Sequence, residues 1–326
     1  MKFPIRTLLS LAFVAGLTIF PSNASAEYPE RAVHITVPFA AGGGSDTFVR
    51  QLAQSMSEHW SQPVLVENRP GASSQIGTSH VARTAPDGYN LLFVSNPFTA
   101  NPGLFKSLPY DTERDFAPIT MMATAAFVMV AHPSLGVNNV QELIALAKEK
   151  PGVINFASSG IGGPDHLAME LFKYRTGTDM VHVPFKGTGE ALPALLSGEP
   201  QVFFGSGIAS LPYIESGALK VLAVSSAQRL QTMPDVPTVN EAAGIDGFDV
   251  VAEYGMVAPA GTPPEIIDAI RVEIAKCLEA EEMQKLMKKS AAVKVANSPE
   301  EFAKFIQNEI KTYAELIKTV GISIPQ

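Results

Sequence analysis

Catalytic machinery is what this chain lacks. It has no G-x-S-x-G nucleophile elbow, no G-x-x-x-x-G-K-[ST] phosphate loop and no H-E-x-x-H zinc pair. GIGGPD comes nearest to G-x-G-x-x-G, but Asp165 stands where the last glycine belongs. Cysteine is nearly missing too. The only one, Cys277, falls in the helical stretch EIIDAIRVEIAKCLEA, so neither an intramolecular disulfide nor a cysteine metal site is expected. The histidines, at 34, 59, 80, 132, 166 and 182, are scattered. His34 and His182 read as strand residues and His59 and His80 as helix residues, in structural or surface roles rather than as metal ligands. No metal and no cofactor is expected, and no enzyme. Charge is sparse at 17% against 46% hydrophobic residues, which excludes a disordered chain.

What is present begins with a leader. Lys2 and Arg6 precede the apolar run LLSLAFVAGLTIF and the A-x-A triplet Ala24-Ser25-Ala26, the three-part form of a secretory signal cut after Ala26. The run is shorter than the ~20 residues that span a bilayer, and nothing later is apolar enough to do so. Cleavage removes two cations and no acids. The mature chain then carries 22 basic and 32 acidic side chains, a net charge of −10, which disfavours nucleic acid as a partner. At 326 residues the chain exceeds one ordinary core, so two domains with a cleft between them are expected.

From residue 32 to 259 short β-rich apolar runs alternate with amphipathic helical segments, which predicts an α/β protein with parallel sheets covered on both faces. The strand around 119–132 has no turn signal in its middle and reads as a crossover between two sheets, with a second crossover near 249–259. One lobe is then discontinuous, 27–124 plus 250–326, and the other is 125–249. Four loops at the carboxyl ends of strands are dense in small residues: AAGGGSD (40–46), SNPFTANPG (95–103), ASSGIGGPDH (157–166) and PFKGTGE (184–190). Ligands of open parallel sheets bind there. The first, third and fourth run into helices, whose unpaired N–H groups and positive dipole ends favour an anion. Phe39, Phe98, Phe185 and Tyr254 offer apolar contact to the rest of such a ligand, or core packing. The alternative from another class is a hydrolase built on Ser158, Ser159 and His166. No acid stands in an orienting position for it, and Asp165 reads as a cap of the following helix.

The segments YPERAVHITVPFAAGGGSDTFVRQLA, ENRPGASSQIGTSHVARTAPDGYNLLF, FASSGIGGPDHLAMELFK and MVHVPFKGTGEALPALLSG, in that order, resemble the tripartite tricarboxylate transporter substrate-binding proteins, the Bug or TctC family. The resemblance runs from about Tyr28 to Ile322. It implies a fold like that of type II periplasmic binding proteins: two doubly wound parallel-sheet lobes joined by two crossover strands around a ligand cleft. It also implies a non-enzymatic periplasmic monomer that delivers a small organic carboxylate to a membrane permease. A ligand-sensing subunit of a signalling system would share the same sequence features. In such proteins, loops matching 39–46 and 184–188 hold the carboxylate through backbone groups and bridging waters. That carries over Phe39, Ala41, Gly42, Gly43, Asp46, Pro184, Lys186 and Gly187, with Ser95, Asn96, Ser158, Ser159 and His166 beside them.

Three departures from the family pattern bear on specificity. Ser74-Gln75-Ile76-Gly77 stands where many members read NIG after the preceding turn. Phe204-Gly205-Ser206 replaces FDN, and the missing aspartate at Gly205 is expected to enlarge the cleft. Glu253-Tyr254-Gly255 replaces WFG. Glu253 then either serves an α-ammonium group of the ligand or pairs with a neighbouring cation, and Ser206 and Tyr254 join the candidate site. Di- and tricarboxylates, aromatic acids and acidic amino acids all remain open as ligands.

Overall fold

The computed structural model describes residues 28–321, so the leader and its cut after Ala26 lie outside the described residues. The chain opens with β1 (Val33–Val37), α1 (Gly44–Trp60), β2 (Val64–Asn68), α2 (Gln75–Val81), β3 (Asn90–Val94) and α3 (Pro97–Leu104). The 16-residue strand β4 (Phe116–Ala131) follows. Next come α4 (Val140–Glu149), β5 (Asn155–Ser158), α5 (Pro164–Thr176), β6 (Val181–Pro184), α6 (Thr188–Leu196), β7 (Val202–Ser206), α7 (Gly207–Glu215), β8 (Lys220–Val224) and α8 (Val239–Ala243). The chain closes with β9 (Val251–Pro259), α9 (Pro264–Cys277), α10 (Glu281–Lys289), β10 (Ala292–Lys294) and α11 (Pro299–Val320). Among the described residues, no helix is long and apolar enough to cross a membrane.

Two sheets share one plan. In the first the order is β2-β1-β3-β9-β4, with β10 beyond; in the second it is β6-β5-β7-β4-β8. Each has a parallel trio, whose two inner strands are buried on both faces while the outer one, β2 or β6, is partly exposed. Val33, Ile35, Val37, Leu91 and Phe93 are fully covered in the first, and Phe156, Ala157, Val202 and Phe204 in the second. Of the two strands expected to cross between sheets only β4 pairs in both, while β9 pairs in the first sheet alone, and both depart from the expected parallel order. β9 runs antiparallel to β3 and to β4, and β4 runs antiparallel to β7 and β8, so both sheets are mixed. The reason is geometric: a strand that leaves one sheet to enter another returns against the direction of the βα units it joins.

β4 changes sheet within one peptide. Ala126 is the last residue paired with β9, opposite Val251, and Phe127 is the first paired with β7, opposite Ser206. A second correction concerns SNPFTANPG, read above as a loop. Residues 97–104 form α3, which Pro97 starts at a position where its missing N–H costs nothing. Two later helices carry capping boxes, Thr238 with Glu241 for α8 and Ser298 with Glu301 for α11. α11 is amphipathic. Its Phe302 and Ile306 pack with Val94, Phe98, Met121 and Val257, while Tyr313 and Ile317 meet Ala100 of α3 and Leu167 of α5. Leu104 packs against that last group, so the C-terminal helix and α3 together touch a helix that belongs to the second sheet.

Gly255 marks how closely α11 approaches β9. A Cβ at this position would collide with the Phe302 ring and lie 2.9 Å from Val94 Cγ2. Gly255→Ala is therefore expected to destabilise the protein by about 1–3 kcal/mol through overpacking. Urea unfolding reads this as a lower midpoint at unchanged m; a midpoint equal to wild type would mean that the Phe302 contact is soft.

Candidate functional site

The loop after β1 is built around a carboxylate that faces inward. Asp46 is 3% exposed, and its Oδ2 accepts from the Gly42 N–H at 2.8 Å and from Arg50 Nε at 3.0 Å. Its Oδ1 accepts from Asn68 Nδ2 at 2.8 Å, and the same amide donates to Phe39 O while Asn68 Oδ1 accepts from Arg50 Nη2. Burial on its own would raise the Asp46 pKa. The bonds from Arg50, Gly42 and Asn68 and the Arg50 charge outweigh it and hold the carboxyl below its ordinary value. Asp46 thus braces the loop and presents no charge to a ligand, which corrects the role carried over for it. Gly42, at φ +83°, takes the left-handed turn that this bracing requires, and Ala41 and Gly42 remain exposed.

The bracing leaves the start of α1 open. Its N-cap is Gly43, which has no side chain to return, and among the described residues the N–H groups of Gly44, Ser45 and Asp46 have no acceptor. Two hydroxyls close on that helix start from other parts of the fold. A Cβ built on Gly44 would lie 3.8 Å from the Tyr254 hydroxyl on β9 and 4.0 Å from Ser206 Oγ at the end of β7. Tyr254 is 5% exposed, and its ring packs on Phe48 and Phe93. Its hydroxyl has no hydrogen-bond partner among the described residues, and burial pushes its pKa up to about 12, so it stays a neutral donor. Residues from both sheets therefore converge on one uncapped helix start. Gly44 and Ser45 lie within AAGGGSD, the loop whose helix start is expected to offer unpaired N–H groups, although GGGSD alone does not reveal which of them stay unused.

The fourth loop repeats the theme. α6 has Gly187 as its N-cap, at φ +107°, again with no side-chain cap, and the Glu190 carboxylate accepts from the Lys186 N–H. Gly187 N–H donates to Ser159 O and Phe185 N–H to Ser158 O, which lace the third and fourth loops together. Pro184 and Lys186 are exposed and Gly187 is half-buried beside open space. The third loop differs. The Asp165 carboxylate fills the start of α5, accepting from the Ser159 N–H at 2.5 Å and from Ser159 Oγ at 2.8 Å, and burial lifts its pKa to about 6. That helix start is closed to a ligand.

Several other expected site residues are engaged inside the protein. Asn96 is fully buried and donates to Val251 O, Glu253 Oε1 and the Tyr313 hydroxyl, and Ser95 Oγ donates to Asn96 Oδ1. Glu253 lies on the face of β9 opposite Tyr254, as strand alternation dictates, and points towards α11. Among the described residues no cation pairs with it. Its neighbour is the Glu309 carboxyl, and burial followed by that like charge raises the Glu253 pKa well above the ordinary range. Gly205 does not enlarge the cleft either, because a Cβ there would collide with the buried Ser210 hydroxyl, which already occupies the space. Phe98 is 2% exposed and belongs to the core.

The serine and histidine arrangement is also structural. Ser158 Oγ lies 2.5 Å from His182 Nε2, not beside His166, whose Nδ1 accepts from the Gly162 N–H. The two imidazoles stack at 3.9 Å, and His182 stacks on Phe156 at 4.9 Å. Burial lowers both, His166 to about 3 and His182 to about 4, so both are neutral near pH 7. Among the described residues no carboxylate hydrogen-bonds to His182, while Asp165, the acid closest in sequence, serves Ser159. Ser158, Ser159 and His166 set the shape of the loop rather than assembling a nucleophile.

Comparison with known proteins fits this geometry. The family model described as "Tripartite tricarboxylate transporter family receptor" matches residues 48–322. Protein BugT of Bordetella pertussis is 34% identical over 314 residues, spanning 96% of this chain and 96% of its own. A protein of R. palustris solved with adipate has a TM-score of 0.87 at 31% identity, covering 91% of this chain and 99% of that one. MatC from Rhodopseudomonas palustris, solved with bound malate, has a TM-score of 0.83 at 28% identity, covering 89% of this chain and 100% of that one.

Two carboxyls are open to test by pH. Because the folded pKa of Asp46 is depressed, the stability it confers is present above its ordinary 3.8 and is lost as pH falls through the lower folded value. Asp46→Asn is expected to cost about 1–3 kcal/mol at neutral pH, with the gap to wild type closing in acid; a gap independent of pH would rule out the bracing role. Glu253 has the opposite sign. Its folded pKa is raised, so the cost of charging it is absent below the ordinary 4.5 and grows as pH rises towards the folded value. Glu253→Gln should gain stability relative to wild type across that rise, and urea midpoints over a pH series would read both effects.

Proposed function

This chain belongs to the tripartite tricarboxylate transporter receptor family, and on that premise we propose that it captures a small organic diacid in the periplasm and delivers it to a membrane permease. The leader read from the sequence accounts for export. In this reading the lobes are 27–124 with 250–326, and 125–249, and they close on the ligand by bending at the two crossover strands. One carboxylate sits on the open start of α1, receiving the N–H groups of Gly44 and Ser45, the Tyr254 hydroxyl and Ser206 Oγ. The observation that carries the proposal is the Tyr254 hydroxyl, at the tip of a buried ring, without a partner among the described residues and close to an uncapped helix start.

The second carboxylate goes to α6. β6 stands two strands from β7 in the second sheet, so the Gly187 turn lies roughly 10 Å along the same edge from Ser206. A small diacid bridges that span, which supports a diacid over a single carboxylate, and Phe39 and Phe185 flank its carbon chain. Solved relatives hold adipate and malate. Lys186 adds a flexible cation at the rim. Nothing in the site calls for a reacting group.

A thermal-shift and titration panel on the mature chain tests the reading, with malate, adipate, a monocarboxylate and a neutral diol. A diacid present at 100 times its Kd should add about 2.7 kcal/mol of stability, and the diol none. Tyr254→Phe should leave the ligand-free unfolding midpoint unchanged and weaken the diacid about 10-fold to 100-fold, the worth of one charge-assisted hydrogen bond. No stabilisation by any carboxylate, or undiminished affinity in Tyr254→Phe, would overturn it.

A further inference from the structure

At the far end of α1 from the ligand loops, two helices each present a pair of polar side chains one turn apart. α1 offers Ser55 and His59, and α9 offers Glu273 and Cys277. His59 Nδ1 lies 2.5 Å from Glu273 Oε1 and 3.6 Å from Cys277 Sγ, and Cys277 Sγ lies 3.2 Å from Glu273 Oε1. We propose that His59, Glu273 and Cys277 form a binding site for a zinc-class divalent ion, with the fourth position left to water.

Donor chemistry and geometry both fit such an ion. A thiolate, an imidazole and a carboxylate are the ligand types zinc takes, and bond lengths of 2.0 to 2.3 Å give tetrahedral edges of about 3.3 to 3.6 Å. The two edges that include Cys277 Sγ are already near that length. The edge between His59 and Glu273 must open by roughly 0.8 Å. His59 can supply the movement, because its side chain is 30% exposed on the last turn of α1, whereas Glu273 is 11% exposed and Cys277 is fully buried. The burial asymmetry gives the ion a single path of entry, past the imidazole, and leaves the water position on that side.

Helix ends favour the same charge. His59 lies in the last turn of α1 and Cys277 is the last residue of α9, so both negative dipole ends approach the site. The positive end of α1 faces the carboxylate loop about 22 Å away, one helix thus placing opposite ends at sites of opposite charge. The binding step balances without redox change. The ion bonds to sulfur as the thiol proton leaves to solvent, and to His59 Nδ1 as the proton bridging it to Glu273 is exchanged through solvent for one on Nε2, while the Glu273 carboxylate supplies an existing charge. Counting cysteines along the sequence excluded a site made of cysteines alone; the fold adds a histidine and a glutamate from elsewhere in the chain.

Cobalt titration of the metal-stripped mature protein tests the site. Co2+ should bind one per chain with a thiolate-to-cobalt charge-transfer band in the near ultraviolet, Zn2+ should abolish the band, and Zn2+ alone should raise the melting temperature. Cys277→Ala should lose the band. His59→Ala, at a half-exposed position where the fold tolerates truncation, should weaken Co2+ at least 10-fold while leaving diacid binding unchanged. No charge-transfer band in the folded wild-type protein, or Co2+ affinity in His59→Ala equal to wild type, would overturn the proposal.

Discussion

An anion reaches a helix start only while no group of the protein already occupies it. In this chain the start of α1 depends on where one carboxylate goes. Asp46 is the third residue of α1 and has the reach to fold back over its own N–H groups. It turns instead towards Arg50, Asn68 and the Gly42 N–H, which leaves the first turn unoccupied and fixes the loop in one conformation. α5 is the internal contrast. Asp165 stands at an early helix position too, yet takes its bonds from Ser159 and closes that end. Two aspartates at similar places, one turned outward from its helix start and one folded onto its loop, decide which loop is available to a ligand. The fixed loop also reduces the ordering entropy that binding would otherwise cost.

β9 shows how a single strand serves both faces of the molecule. Tyr254 leans to the α1 side, where Phe48 and Phe93 hold its ring and its hydroxyl stays free. One residue earlier, Glu253 leans to the α11 side and joins Asn96 and Tyr313 in a buried network. The period of two makes these roles inseparable in position, since a one-residue slip would exchange them. Gly255 then admits Phe302, which pins α11 to the same strand.

Much of the architecture was legible in the sequence. β-rich runs between amphipathic helices announced the alternation, and the unbroken apolar stretch of β4 announced a strand common to two sheets. The antiparallel course of β4 and β9 was not legible, because direction within a sheet is set by pairing between distant segments. SNPFTANPG misled as a loop because Pro, Asn and Gly are turn residues by composition, although Pro97 sits where it initiates a helix. At the site, local glycine chemistry marked the α1 and α6 turns, whose helix starts the fold leaves without a side-chain cap. What side chains face is a tertiary matter, and so Asn96, Ser158, His166 and Glu253 looked available while the fold had already engaged them. The grouping of His59 with Glu273 and Cys277 was invisible for the same reason, since more than 200 residues separate the partners.

The clasp formed by Ala100, Leu104, Tyr313 and Ile317 around Leu167 has a thermodynamic consequence for a receptor of this kind. Apolar surface already buried between helices of the two sheets must be exposed again for the molecule to gape, at about 25 cal/mol for each Å2. That seam opposes any parting of the two sheets, so a hinge motion that admits a guest works against the burial of Leu167.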